Sequence, residues 1–136
     1  MAKGDELVVL SCDPGETTGV FVGKFTAGED KPEVLRVGET DLWAGLERLF
    51  MEYFPDVCVY ETFKLYPWLA RTKSWSTFPT VEVIGVLKYL ANRYAVPIVG
   101  QGANMKKSTR INPKHPSPHV RDAARHALVY WRRHSK

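Results

Sequence analysis

A chain of 136 residues has the length of one domain and can bury a core without disulfide or metal staples. With 44% hydrophobic and 25% charged residues, its composition excludes a disordered or fibrous chain. The net charge of +4 conceals an asymmetry. From position 104 onward, Lys106, Lys107, Arg110, Lys114, Arg121, Arg125, Arg132, Arg133 and Lys136 stand against one acid, Asp122, so this segment carries +8 and the first 103 residues −4. Such a basic surface points to a polyanion, most commonly nucleic acid; a solvated basic helix without a partner is the plainer alternative. No apolar run approaches the roughly 20 residues that span a bilayer, and the opening MAKGDEL has no apolar signal core. The expectation is therefore a soluble protein of the reducing cytoplasm. Cys12 and Cys58 fall in strand-like runs, as buried thiols or, alternatively, as a disulfide between neighbouring strands.

The first element is the run Leu7-Val8-Val9-Leu10, which leads to Asp13, a Pro14-Gly15 turn and a returning apolar run from Gly19 to Val22. A carboxylate at the end of a buried strand costs on the order of several kcal/mol to desolvate unless a cation or several donors meet it. Asp13 therefore either caps its turn or faces a cation. Residues 33–39 alternate as a third strand after turn signals at Gly28 and Pro32. Thr40 or Asp41 caps a helix whose Leu42, Trp43, Leu46, Leu49, Phe50 and Phe54 fall at helical spacing, and Pro55 closes it. Residues 56–61, DVCVYE, form a short strand that again ends in a carboxylate, Glu61.

From Thr62 to Pro79 there is no clean period. Phe63, Tyr66, Trp68, Trp75 and Phe78 alternate with Lys64, Arg71 and Lys73, and a loop of this length is usually functional or mobile. Its rings suit base stacking, or packing beneath the loop or across an interface. Thr80 caps a second helix with Val83, Ile84, Leu87, Leu90 and Ala91 inward and Glu82 in its first turn. Val96 to Gln101 is a fifth strand, with Pro97 near its start. A basic loop follows from Gly102 to Pro116. Ser117 and Pro118 then open a last helix as N-cap and first helical residue, running through Ala123, Ala124, Ala127, Leu128 and Trp131. The order β-β-β-α-β-α-β-α predicts an α/β fold: a five-stranded mixed sheet, an antiparallel meander then two helix-connected strands, with helices packed on it.

If the first and fourth strands are neighbours, Asp13 and Glu61 meet. His119 and Asp122, three residues apart, share one face of the last helix's first turn. Four oxygen or nitrogen donors then converge on one sheet edge, in outline a site for a hard divalent ion, Mg²⁺ or Mn²⁺.

These residues carry a resemblance. The first-strand motif Asp13-Pro14-Gly15-x-x-x-Gly19, the acid in Val59-Tyr60-Glu61, and the helix His119-x-x-Asp122-Ala123-x-x-His126-Ala127 resemble, in order, the RuvC family of Holliday-junction resolvases, within the RNase H-like superfamily, and especially its short bacteriophage forms. The resemblance spans nearly the whole chain. It implies one RNase H-like nuclease domain over residues 1–136 that hydrolyses phosphodiesters with two metal ions. Asp13 would bridge the ions, Glu61 and Asp122 would be further ligands, His119 would stand beside one ion, and Lys106 or Lys107 would lie near the scissile phosphate. It also implies a homodimer making paired symmetric nicks in a four-way DNA junction. DNA contacts are expected from Phe63, Lys64, Tyr66, Arg71, Lys73, Trp75, Lys106, Lys107, Arg110, Lys114, Arg121 and Arg125. Many relatives carry an acid where His119 stands, which leaves this histidine as a ligand, a proton carrier or a donor that favours Mn²⁺. The same first motif resembles the phosphate loop of the actin and sugar-kinase superfamily, but those proteins need a second, repeated half. The remaining alternatives are a sibling nuclease of other branched DNA or structured RNA, and a nucleic-acid binding module that has lost its metals.

Overall fold

Residues 5–29, 31–40, 43–62, 79–106 and 115–134 are described by the computed structural model. The apolar run that opens the chain becomes β1 (Glu6–Asp13), returned antiparallel by β2 (Thr18–Thr26) and extended by β3 (Glu33–Thr40). Helix α1 (Trp43–Tyr53) leads to β4 (Val57–Glu61), and α2 (Pro79–Arg93) to β5 (Ile98–Gln101). A 3-10 turn (Ala103–Lys106) and the long α3 (Pro118–His134) complete the described chain. The five strands form one sheet in the order β3-β2-β1-β4-β5, with β1, β4 and β5 parallel to one another.

Successive strand residues point to opposite faces, and helices cover both, which is why β1, β2 and β4 read as nearly unbroken apolar runs. Leu10, Cys12, Val20, Val22 and Cys58 pack with Leu46, Leu49 and Phe50 of α1 and with Val83, Leu87, Leu90 and Ala91 of α2. On the other face Val9, Phe21, Phe25, Val57 and Val59 pack with Ala123, Ala124, Ala127 and Leu128 of α3. Both cysteines are buried and free, so the thiol reading holds and the disulfide alternative does not. Among the described residues no helix is long and apolar enough to cross a membrane.

The predicted order is reproduced, with local corrections. Trp43 and Phe54 share the helical spacing of Leu46, Leu49 and Phe50, yet they are 55% and 76% exposed. Trp43 opens α1 ahead of its first buried residue, Leu46. Phe54 lies beyond the helix at φ 45°, a left-handed conformation that removes its side chain from the helical register as Pro55 redirects the chain. Leu42 lies outside the described residues. Pro79, one residue before the expected cap Thr80, begins α2, where its fixed φ and missing N–H cost nothing. Strand β5 begins after Pro97, whose carbonyl accepts from the Cys58 amide but which has no N–H for the ladder. Part of the expected basic loop after Gly102 is the 3-10 turn, which packs against α3.

Candidate active site

Because β1 and β4 are parallel neighbours with Cys12 beside Tyr60, Asp13 and Glu61 come to adjacent strand ends on the face covered by α3. Glu61 is in turn the register partner of Gln101 on β5. Asp13, Glu61 and Gln101 thus form a row along the carboxyl ends of the parallel strands, the edge at which open α/β sheets present their sites.

Helix α3 lies over this row because Gly19 lets it. Gly19 pairs with Asp13 across the β1–β2 hairpin, and a Cβ there would fall 2.2 Å from the backbone carbonyl of His119. The start of the helix is also tied from outside. Ser117 Oγ donates to Glu39 Oε2 at 2.7 Å and accepts from the Val120 amide at 3.4 Å, fulfilling the predicted N-cap. Arg121 Nη1 donates to the carbonyls of His115 (2.6 Å) and Pro116 (3.1 Å), bracing the entry to the helix.

So held, α3 turns His119, Asp122 and His126 toward the row. His119 Nδ1 is 3.1 Å from Asp13 Oδ2. Arg125 Nη1 donates to Asp122 Oδ1 at 3.0 Å. His126 Nε2 is 3.1 Å from Glu61 Oε1, and Gln101 Nε2 is 3.1 Å from His126 Nδ1. Burial pushes the Asp13 carboxyl above its ordinary range; the hydrogen bond from His119 opposes this, and the charges of Glu61 and Asp122 add to the rise. Glu61 and Asp122 are thus both close enough to act on the charge of Asp13.

The donor set fits a hard divalent cation: three carboxylates and an imidazole, with both cysteines on the opposite face of the sheet. Among the described residues no three His, Cys, Asp or Glu side chains are grouped as a ready metal cage. Each carboxylate instead has a side-chain partner, and an ion shared by Asp13, Glu61 and Asp122 would displace some of those contacts.

Asp13, Glu61, His119 and Asp122, chosen from sequence, are brought to one edge; Arg121 and Arg125 flank it on α3. Lys106 ends the 3-10 turn beside α3, its side chain outside the described part, and Phe63, Lys64, Tyr66, Arg71, Lys73, Trp75, Lys107, Arg110 and Lys114 lie outside the described residues. Two site residues received no role from sequence. His126 was visible as the third member of a 119, 122, 126 helical face. Gln101 was visible as a third polar strand end beside two acidic ones.

No family model matches the sequence, and no curated protein sequence matches it. Solved structures do match the fold. Thermus thermophilus RuvC in complex with a Holliday junction substrate superposes with a TM-score of 0.72 at 18% identity, over 95% of this chain and 97% of that one. Another Thermus thermophilus RuvC structure gives 0.73 at 16% identity, over 93% and 96%. The fowlpox virus resolvase in complex with its substrate Holliday junction DNA gives 0.64 at 12% identity, over 92% and 99%. The resemblance carried by three short motifs therefore extends to three dimensions, and the chain has the fold of the RuvC resolvases.

Proposed function

We propose that the chain is a divalent-metal nuclease that resolves four-way DNA junctions. The observation that carries this reading is the convergence of Asp13, Glu61 and Asp122, from three separate elements, on one sheet edge, where burial together with the charges of Glu61 and Asp122 raises the Asp13 carboxyl. The junction-bound relatives of the same fold support the choice of substrate.

In this reading Asp13, Glu61, Asp122 and His119 would hold two ions, Mg²⁺ or Mn²⁺. When bound, these supply Lewis-acid activation of the phosphate and of the attacking water. Asp13, the most deeply buried of the four, stands between the β4 carboxylate and the α3 pair and would be a ligand there. His119, whose side chain is 48% exposed, is the member most open to an incoming phosphate. Lys106 and Lys107 follow β5 and would offset charge that develops on the scissile phosphate. Arg110, Lys114, Arg121 and Arg125 would track the DNA backbone. Two copies would place two such sites on the symmetric strands of a junction.

The direct test is Asp13→Asn. It keeps the shape and removes the charge, so it should abolish cleavage while junction binding, which rests on Lys and Arg, stays within a few-fold of wild type. Cleavage at the wild-type rate would contradict the metal assignment.

A further inference from the structure

His126 is a fully buried imidazole at the centre of α3's inward face. Its surroundings fix its tautomer. Gln101 Nε2 lies 2.9 Å from the His126 carbonyl oxygen as well as 3.1 Å from Nδ1. Only the NH₂ end of the amide can face a carbonyl, since the amide oxygen there would set two acceptors against each other. With one N–H on the carbonyl, the other is directed at Nδ1, which must be the bare, accepting nitrogen. The proton of the neutral ring is then on Nε2, and Nε2–H donates to Glu61 Oε1 at 3.1 Å. Glu61 and Gln101 are register partners on β4 and β5, so one imidazole from α3 closes a ring over two adjacent strand ends.

We propose that His126, oriented by Gln101, is the positioning residue of the metal centre: it holds one oxygen of the Glu61 carboxylate, the residue that would be an ion ligand. The inference rests on the nuclease reading above. Fixing one carboxylate oxygen orders the side chain during folding rather than on ion binding, which strengthens a ligand without adding one. A neutral donor suits this task better than a cation. An arginine at the same place would compete with the ion for the carboxylate, whereas Nε2–H aligns Glu61 and leaves its charge in place.

The test measures Mn²⁺ binding to the DNA-free protein by the loss of the free-ion electron paramagnetic resonance signal. His126→Phe should weaken binding about 10–100-fold, with junction binding in EDTA unchanged. His126→Gln, which returns an N–H toward Glu61, should recover most of the loss; a residue that only fills the core would show no such rescue. Equal Mn²⁺ affinity in His126→Phe and wild type would overturn the proposal. A wild-type protein that binds no Mn²⁺ would instead overturn the nuclease reading, and the positioning role with it. Nitrogen NMR of ¹⁵N-histidine-labelled wild type needs no variant to fold. It should show His126 as the Nε2–H tautomer with a resonance that shifts on Mg²⁺ addition, and an Nδ1–H tautomer would likewise overturn the assignment.

Discussion

Asp13 is the side chain on which the proposed site turns. It is 7% exposed and bonded to His119, and its carboxyl is raised chiefly by burial, with Glu61 and Asp122 adding to the effect. An acid whose folded-state pKa is raised holds its proton more tightly folded than unfolded. Its contribution to stability is therefore fully present below the ordinary value of 3.8 and lost as pH rises through the raised value. Above that window the metal-free protein carries an ionised Asp13 that it would be more stable without. Asp13→Asn, in EDTA, should thus melt higher than wild type at neutral pH, with the difference shrinking as pH falls toward 3.8, in thermal melts across that range. Mg²⁺ should stabilise wild type and leave the variant unmoved. A variant that melts lower than wild type at neutral pH would show that Asp13 is satisfied by its protein donors alone. That was the other sequence reading, a carboxylate that merely caps its turn. The four donors were legible because a carboxylate ending an apolar strand is conspicuous by its desolvation cost. The Gln101–His126–Glu61 ring was not, because its contacts join residues 25 and 65 positions apart and depend on a helix rotation that no local pattern fixes.

At the scale of elements, the site depends on how closely α3 approaches the first hairpin. Gly19 sets that distance, since any side chain there meets helix backbone rather than a yielding side-chain tip. Gly19→Ala should displace the first turn of α3, separate His119 from Asp13, and lower cleavage by at least about tenfold, the scale of a misplaced catalytic geometry. Ser117→Ala removes the N-cap and the tie to Glu39 at the same helix end. It should cost about 1 kcal/mol of stability, read by urea unfolding, with a smaller effect on cleavage because Gly19 still seats the helix. If Ser117→Ala proved the more damaging to cleavage, the cap and not the glycine would be what positions His119. Period and punctuation made the elements readable: Ser117-Pro118 marked the start of α3, and the strand runs stood out because both sheet faces are covered. Trp43 and Phe54 show where periodicity fails. A spacing rule assumes the helix continues, whereas Phe54 lies beyond its end in a left-handed turn and Trp43 precedes its contact with the sheet. Burial at helix ends is decided by neighbouring elements, not by the helix's own sequence.

For the molecule as a whole, the basic C-terminal segment divides into parts with different physical reasons. Arg121 is bonded to carbonyls of its own chain, and Arg125 is paired with Asp122. Arg132 and Arg133 stand in the last turn of α3, where cations complement the helix dipole. Charge count alone therefore overstates what is available to DNA: Arg121 and Arg125 would have to exchange these partners for phosphate, whereas Lys106, Lys107, Arg110 and Lys114 are the other cations proposed above for the DNA. Junction affinity should still fall steeply with salt, with a log–log slope of about −0.9 for each phosphate neutralised. Replacing Lys107 and Arg110 by Ala should flatten that slope by about 2 in a salt titration of binding, and an unchanged slope would move the DNA surface elsewhere. The sheet order legible from the chain brings Asp13, Glu61 and Gln101 to one edge beneath α3, and the proposed function makes that edge the place of cleavage. Cleavage of a synthetic immobile four-way junction tests that claim most directly, run with Mg²⁺ or Mn²⁺ and in EDTA beside duplex, splayed-arm and structured-RNA controls. The account predicts paired, symmetric, metal-dependent nicks confined to the junction; binding without cutting under either metal, or cutting of the RNA or splayed arms in its place, would contradict it.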